Sequence, residues 1–175
     1  MNCSLEAKFL AEDLMKYVFE KRGLSFALKS DYAIKRHREF IGMSPFRLVI
    51  GNAVCIGISE NMHELFIMFR QEFESRLDVI SFRRHAMKLV PEWFPEGYHP
   101  ICFIEFCVMM ISTAISFHDA GYHEISSCVS EVIATVLNQQ MLTDQFKKNG
   151  GWESLVKVST ELVILHRQAR FGHRK

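Results

Sequence analysis

The chain has 175 residues, 49% of them hydrophobic, and balances 21 Lys and Arg against 20 Asp and Glu. This length and apolar share suit one globular domain, spanning residues 1–175, whose core needs neither disulfides nor metal to stay folded. A formal charge of +1 supplies no global field to gather nucleic acid or an anionic membrane, which disfavours a general nucleic-acid role. The five cysteines, Cys3, Cys55, Cys102, Cys107 and Cys128, have neither paired nor metal-ligand spacing. Four of them sit in apolar helical patterns where free thiols act as small hydrophobes, so a reducing compartment is expected. The first residues lack the basic start and apolar run of a secretory signal, so the sequon Asn2-Cys3-Ser4 is expected to escape glycosylation and the protein to be intracellular.

Ser4 followed by Leu5, Phe9, Leu10, Leu14, Val18 and Phe19 predicts an amphipathic first helix that ends at Gly23. From Leu24 to Pro45 the pattern weakens into a connection with room for one short helix, and its basic run Lys35-Arg36-His37-Arg38 is assigned to a solvated face. Val54, Ile58, Leu65, Phe69, Phe73 and Leu77 recur at about four-residue intervals, which predicts one long helix over 49–80, with a break near Arg76 as a variant. Gly51 and Gly57 weaken its first turns. Ser81 is the expected cap of a helix through Val90, after which Pro91, Pro95, Gly97 and Pro100 force turns.

Ile101 to Phe117 carries a single charge, Glu105, and is apolar around its whole circumference, which a surface helix cannot be. The stretch is marginal for spanning a bilayer, and Glu105 near its start favours a central core helix over a membrane span. After a turn over His118–Tyr122, Cys128, Val129, Val132, Ile133, Val136 and Leu137 mark another helix; Met141 to Lys148 forms a short one and Trp152 to Arg170 the last. The expected fold is all-α, with seven or eight helices and no repeats.

The junction before the last helix reads Asn149-Gly150-Gly151-Trp152-Glu153-Ser154-Leu155. Two glycines remove the Cβ penalty where one helix stops and turns, Asn149 tolerates a left-handed backbone, and Trp152 opens the next helix with a large apolar anchor. This run resembles the second homology motif of the Bcl-2 family, and the order of a buried helix, a second apolar helix, a short helix and Gly-Gly-Trp is similar to that family's fold through nearly the whole chain. The resemblance implies a Bcl-2-like bundle with a buried central apolar helix. It also implies a regulator of apoptosis, pro-survival in direction, that sequesters the BH-3 helices of pro-death proteins in a surface groove, in the cytoplasm or at the mitochondrial outer membrane.

The chain departs from the family at two places. Ile58 falls at the leucine position of the BH-3 motif, but Met62 and His63 replace the small residue and aspartate that follow, so the chain is a poor ligand for another groove. At the start of the central helix the family's Asn-Trp-Gly-Arg is replaced by Cys102-Phe103-Ile104-Glu105, and the arginine that would pair with a ligand aspartate is missing. Losing such a contact costs a few kcal/mol when its partner stays buried and less at a solvated rim.

An amphipathic helix docks by seating residues near i, i+4, i+7 and i+11 in apolar pockets. The candidate groove residues are Leu65, Phe69 and Phe73 from the second helix and its extension, Met87 and Val90 from the next, and Glu105, Val108 and Met109 from the central one. Phe and Met at this spacing serve core packing equally well, and only the resemblance favours a groove. The pairs His118-Asp119 and His123-Glu124 fit no standard zinc pattern, and no nucleophile elbow or phosphate loop is present. No metal, cofactor or catalytic residue is therefore expected. Two rival readings are a pore-forming effector whose segments Ile101–Phe117 and Cys128–Leu137 insert into a membrane, and a scaffold that has lost or masked the groove and self-associates as a homodimer. Leu162 to Leu165 is a short apolar patch followed by Arg and His, so no C-terminal transmembrane anchor is expected in this chain.

Overall fold

The computed structural model describes residues 3–26, 42–73 and 78–172. Among them lie eight helices and no strand: α1 (Leu5–Lys21), α2 (Leu48–Glu60), α3 (Met62–Phe73), α4 (Val79–Trp93), α5 (Pro100–Asp119), α6 (Ile125–Met141), α7 (Asp144–Lys148) and α8 (Gly151–Gly172). The basic run Lys35–Arg38, the break expected near Arg76, and Leu77 lie outside the described residues.

α5 is the centre of the bundle, packed on α1, α2, α3, α4, α6 and α8. It starts with Pro100 at its first position, where the missing N–H costs nothing, and His99 accepts from the Ile101 N–H at 3.3 Å. Phe103, Phe106, Cys107, Ile111, Ala114 and Phe117 are fully buried, each large side chain contributing on the order of 2 kcal/mol through loss of water contact. It is long and apolar enough to cross a membrane, yet 72% of its most apolar stretch is buried inside the bundle. Burial also pushes the Cys107 thiol far up from its ordinary pKa.

Helix ends follow local chemistry. The Ser4 hydroxyl accepts from the Ala7 N–H at 3.1 Å, while the Ser4 N–H donates to Asn138 Oδ1 at 2.8 Å and ties the start of α1 to α6. α1 and α5 both close through a glycine at positive φ, Gly23 at 69° and Gly121 at 91°. In each case the residue after that glycine donates back to the last turn, Leu24 to Phe19 O at 2.9 Å and Tyr122 to Phe117 O at 2.8 Å.

Three expected boundaries are corrected. The long helix expected over 49–80 falls on α2, α3 and the first two residues of α4; α2 ends where Asn61 turns its side chain onto the backbone and donates from Nδ2 to Gly57 O at 2.7 Å. Such a local bond offers the chain an alternative to continuing the helix. The cap of α4 is Asp78 rather than Ser81: its carboxylate accepts from the Ser81 N–H at 2.7 Å and the Ser81 hydroxyl at 2.6 Å. Those bonds, the hydroxyl's first, hold the exposed Asp78 carboxyl below the usual carboxylate range. α4 also runs through Pro91 to Trp93, since a proline this close to the helix end forfeits one backbone bond without blocking a further turn.

Candidate functional site: an apolar groove beside the central helix

A groove of about 620 Å³ opens where α2, α3 and α8 meet the N-terminal half of α5. Ala53, Ile56 and Gly57 line it from α2, Leu65 and Met68 from α3, and Trp93 from the end of α4. Ile101, Ile104, Glu105, Val108 and Met109 line it from α5, and Leu162, Leu165, His166 and Ala169 from α8. Its floor is closed by Ala53, Ile104 and Val108, all buried, while Met68, Ile101 and Leu165 are exposed at 41%, 41% and 60%. Apolar side chains open to solvent around a buried apolar floor fit an interaction site.

Gly57 sets the depth of the groove. A Cβ there would stand 2.6 Å from Val108 Cγ2, so only glycine lets α2 lie this close to the stiff, buried valine of α5. The Asn61 break then begins a separate helix whose first turns carry Glu64, Leu65 and Met68 to the groove. On the far side, His166 Nδ1 lies 2.6 Å from Glu60 Oε1 and links α8 to the end of α2. The remaining charged lining residues are Glu64 and Glu105, both exposed. Burial pushes the nearby Cys102 thiol up, and the Glu105 carboxylate adds to that shift.

The residues expected to form the groove divide into three sets. Leu65, Glu105, Val108 and Met109 line it together. Phe69 and Phe73 do not; their rings lie 5.0 and 5.4 Å from Phe117 at the other end of α5, and Phe73 also meets Phe82 at 5.7 Å. Met87 and Val90 are half-buried against the core and lie outside the groove, where α4 instead supplies Trp93. Sequence reasoning missed the α8 wall. Its signal was the apolar patch Leu162–Leu165, weighed only as a membrane anchor; the signal for Gly57 was a glycine inside a helix whose propensity cost needs a packing reason.

The double-glycine junction lies outside the groove and orients α8. Gly150 and Gly151 take φ of 85° and 55°, backbone that L residues with a Cβ adopt only at a cost. Asn149 does not take the left-handed backbone it would tolerate, with φ −90° and ψ 18°; its Nδ2 donates to Tyr98 O at 2.6 Å and binds the junction to the turn before α5. Phe146 packs edge-on between Tyr98, at 4.8 Å, and Trp152, at 5.1 Å. The His118 and His123 rings stand 4.2 Å apart, but among the described residues no three His, Cys, Asp or Glu side chains are disposed to hold a metal ion.

No family model matches the chain, and no curated protein matches it in sequence.

Proposed function

We propose that the groove receives the apolar face of a BH-3 helix, and that the protein is a Bcl-2-like, pro-survival regulator of apoptosis that sequesters pro-death proteins by binding, without chemistry. The observation that carries this reading is the open apolar groove along the N-terminal half of α5, walled by α2, α3 and α8. The order of helices lends support, since a buried apolar helix is followed by a second apolar helix, a short one and a glycine-set turn into the last. So does the fate of the segment nearest to a BH-3 motif in this chain. Ile58 is 2% exposed and faces the chain's own core, which suits a receptor better than a ligand. The partners are pro-apoptotic BH-3 proteins, and the place of action is the cytoplasm or the mitochondrial outer membrane.

With Glu105 where the resemblance would place arginine, affinity rests on apolar anchors rather than on the usual ion pair. Calorimetric titration of the purified protein with BH-3 peptides from pro-death proteins, one carrying its conserved aspartate changed to alanine, tests the reading. Sub-micromolar binding of at least one peptide is expected, corresponding to about −8 kcal/mol or better, with no loss of affinity on the aspartate change. Leu65→Glu should abolish that binding while leaving the helical circular dichroism spectrum intact. A folded, monomeric protein that binds none of the panel would sink the proposal.

A further inference from the structure

The ionisable side chains that line the groove are three carboxylates and one imidazole, Glu60, Glu64, Glu105 and His166, and no Lys or Arg among the described residues lines it. Glu60 already has a partner in His166, 2.6 Å away. Glu64, on α3, and Glu105, on α5, make no ion pair among the described residues, so two exposed carboxylates border the apolar surface from two different walls. Water is partly displaced from such a rim when a helix docks, which strengthens charge interactions there in both directions. A carboxylate on the incoming helix would meet like charge with no cation to answer it. An ammonium or guanidinium would meet unpartnered carboxylates.

We infer that the groove selects, among amphipathic helices, those bearing Lys or Arg at the polar positions that border the apolar stripe, with Glu64 and Glu105 as the selecting residues. This rests on the reading of the groove as a helix-binding site and adds the chemical character of the helix it takes. Apolar anchors supply the bulk of the affinity and the two carboxylates decide between otherwise equal ligands, as charge complementarity at a rim does.

The test uses the full chain and three synthetic helix-forming peptides with leucine at i, i+4, i+7 and i+11, differing only in carrying Lys, Ala or Glu at the bordering positions. Titration calorimetry at low ionic strength should rank them Lys, Ala, Glu, with about tenfold in Kd between the extremes. The spread should shrink at high salt, because exposed pairs are screened. Glu105→Gln should narrow the preference and the double variant Glu64→Lys, Glu105→Lys should reverse it, each checked by circular dichroism for an unchanged fold. Equal binding of the three peptides, or tighter binding of the Glu peptide, would overturn the selection while leaving a working groove. Failure of all three peptides and of the BH-3 panel to bind a folded protein would instead remove the groove reading and the selection with it.

Discussion

The two halves of α5 lie on one helix and meet opposite fates. From Ile101 to Met109 the helix exposes one side to a groove that no described segment fills. From Ile111 to Phe117 every residue but Ser116 is buried, with Phe69, Phe73, Phe82 and Tyr122 arranged around the Phe117 ring at 5.0 to 6.4 Å. At the start of the second half, the Ser112 and Thr113 hydroxyls both donate to Met109 O, at 2.9 and 2.8 Å, so these two buried polar side chains are satisfied within the helix and ask nothing of either region. The covering residues make the difference. Aromatic rings from α3 and α4 close one end, while glycine, alanine and aliphatic side chains from α2 and α8 leave a channel at the other.

The sealed half should respond most strongly to truncation. Phe117→Ala removes a side chain with no solvent exposure and four ring neighbours, and the cavity left among rigid rings predicts a loss of about 3–5 kcal/mol. Urea denaturation monitored by circular dichroism measures this. A loss under about 1 kcal/mol would mean that the aromatic end is loosely packed and the contrast with the groove is false.

Gly57→Val probes the floor of the groove by overfilling it. The new side chain would begin 2.6 Å from Val108 Cγ2, and overpacking of this kind costs about 1–3 kcal/mol. Pairing it with Val108→Ala should recover part of the loss. If the double variant is no more stable than the valine variant alone, α2 does not owe its position to this contact.

The pattern of what the sequence did and did not reveal follows the same contrast. α5 was readable because a long apolar run must leave water, and a charge near its start favours a buried core helix over a membrane span. The ends at Gly23 and Gly121 were readable because a positive φ calls for glycine. The division of α2 from α3 was not, since the apolar spacing continues across Asn61 and the break depends on a side-chain bond to Gly57 O that periodicity does not register. Phe69 shows a second limit. It falls one turn after Leu65 and shares its face by spacing, yet Leu65 lines the groove while the Phe69 ring packs edge-on to Phe117; spacing fixes a face but not which neighbour a large ring finds. The α8 wall was hidden for a third reason: contact between residues about a hundred apart, such as His166 with Glu60, leaves no local trace.

Gly150→Ala tests the junction that aims α8 along the groove. Its φ of 85° and the 2.8 Å approach of a would-be Cβ to Ser154 Cβ predict a loss of about 1–2 kcal/mol, mostly the penalty for a left-handed L residue. Helix α8 would also be re-aimed if the turn relaxed, so peptide affinity should fall along with stability. Stability that falls while affinity stays constant would show that α8 holds its place through its packing on α2 and α5 rather than through the junction.

Leu165→Ser should have the smallest effect on folding and is the sharpest test of the contrast. The side chain is 60% exposed at the groove rim, and the folded protein already leaves most of it in water, so truncation should shift the unfolding free energy by less than about 0.5 kcal/mol. A docking helix would bury that same surface, and losing it should weaken peptide binding several-fold by calorimetry. Phe117 and Leu165 both sit on helices that meet in one bundle, so a variant that spares folding and harms binding separates a surface kept for a partner from a surface spent on the core. Should Leu165→Ser destabilise the fold as Phe117→Ala does, the rim is core in solution, and the groove is closed there by α8 itself.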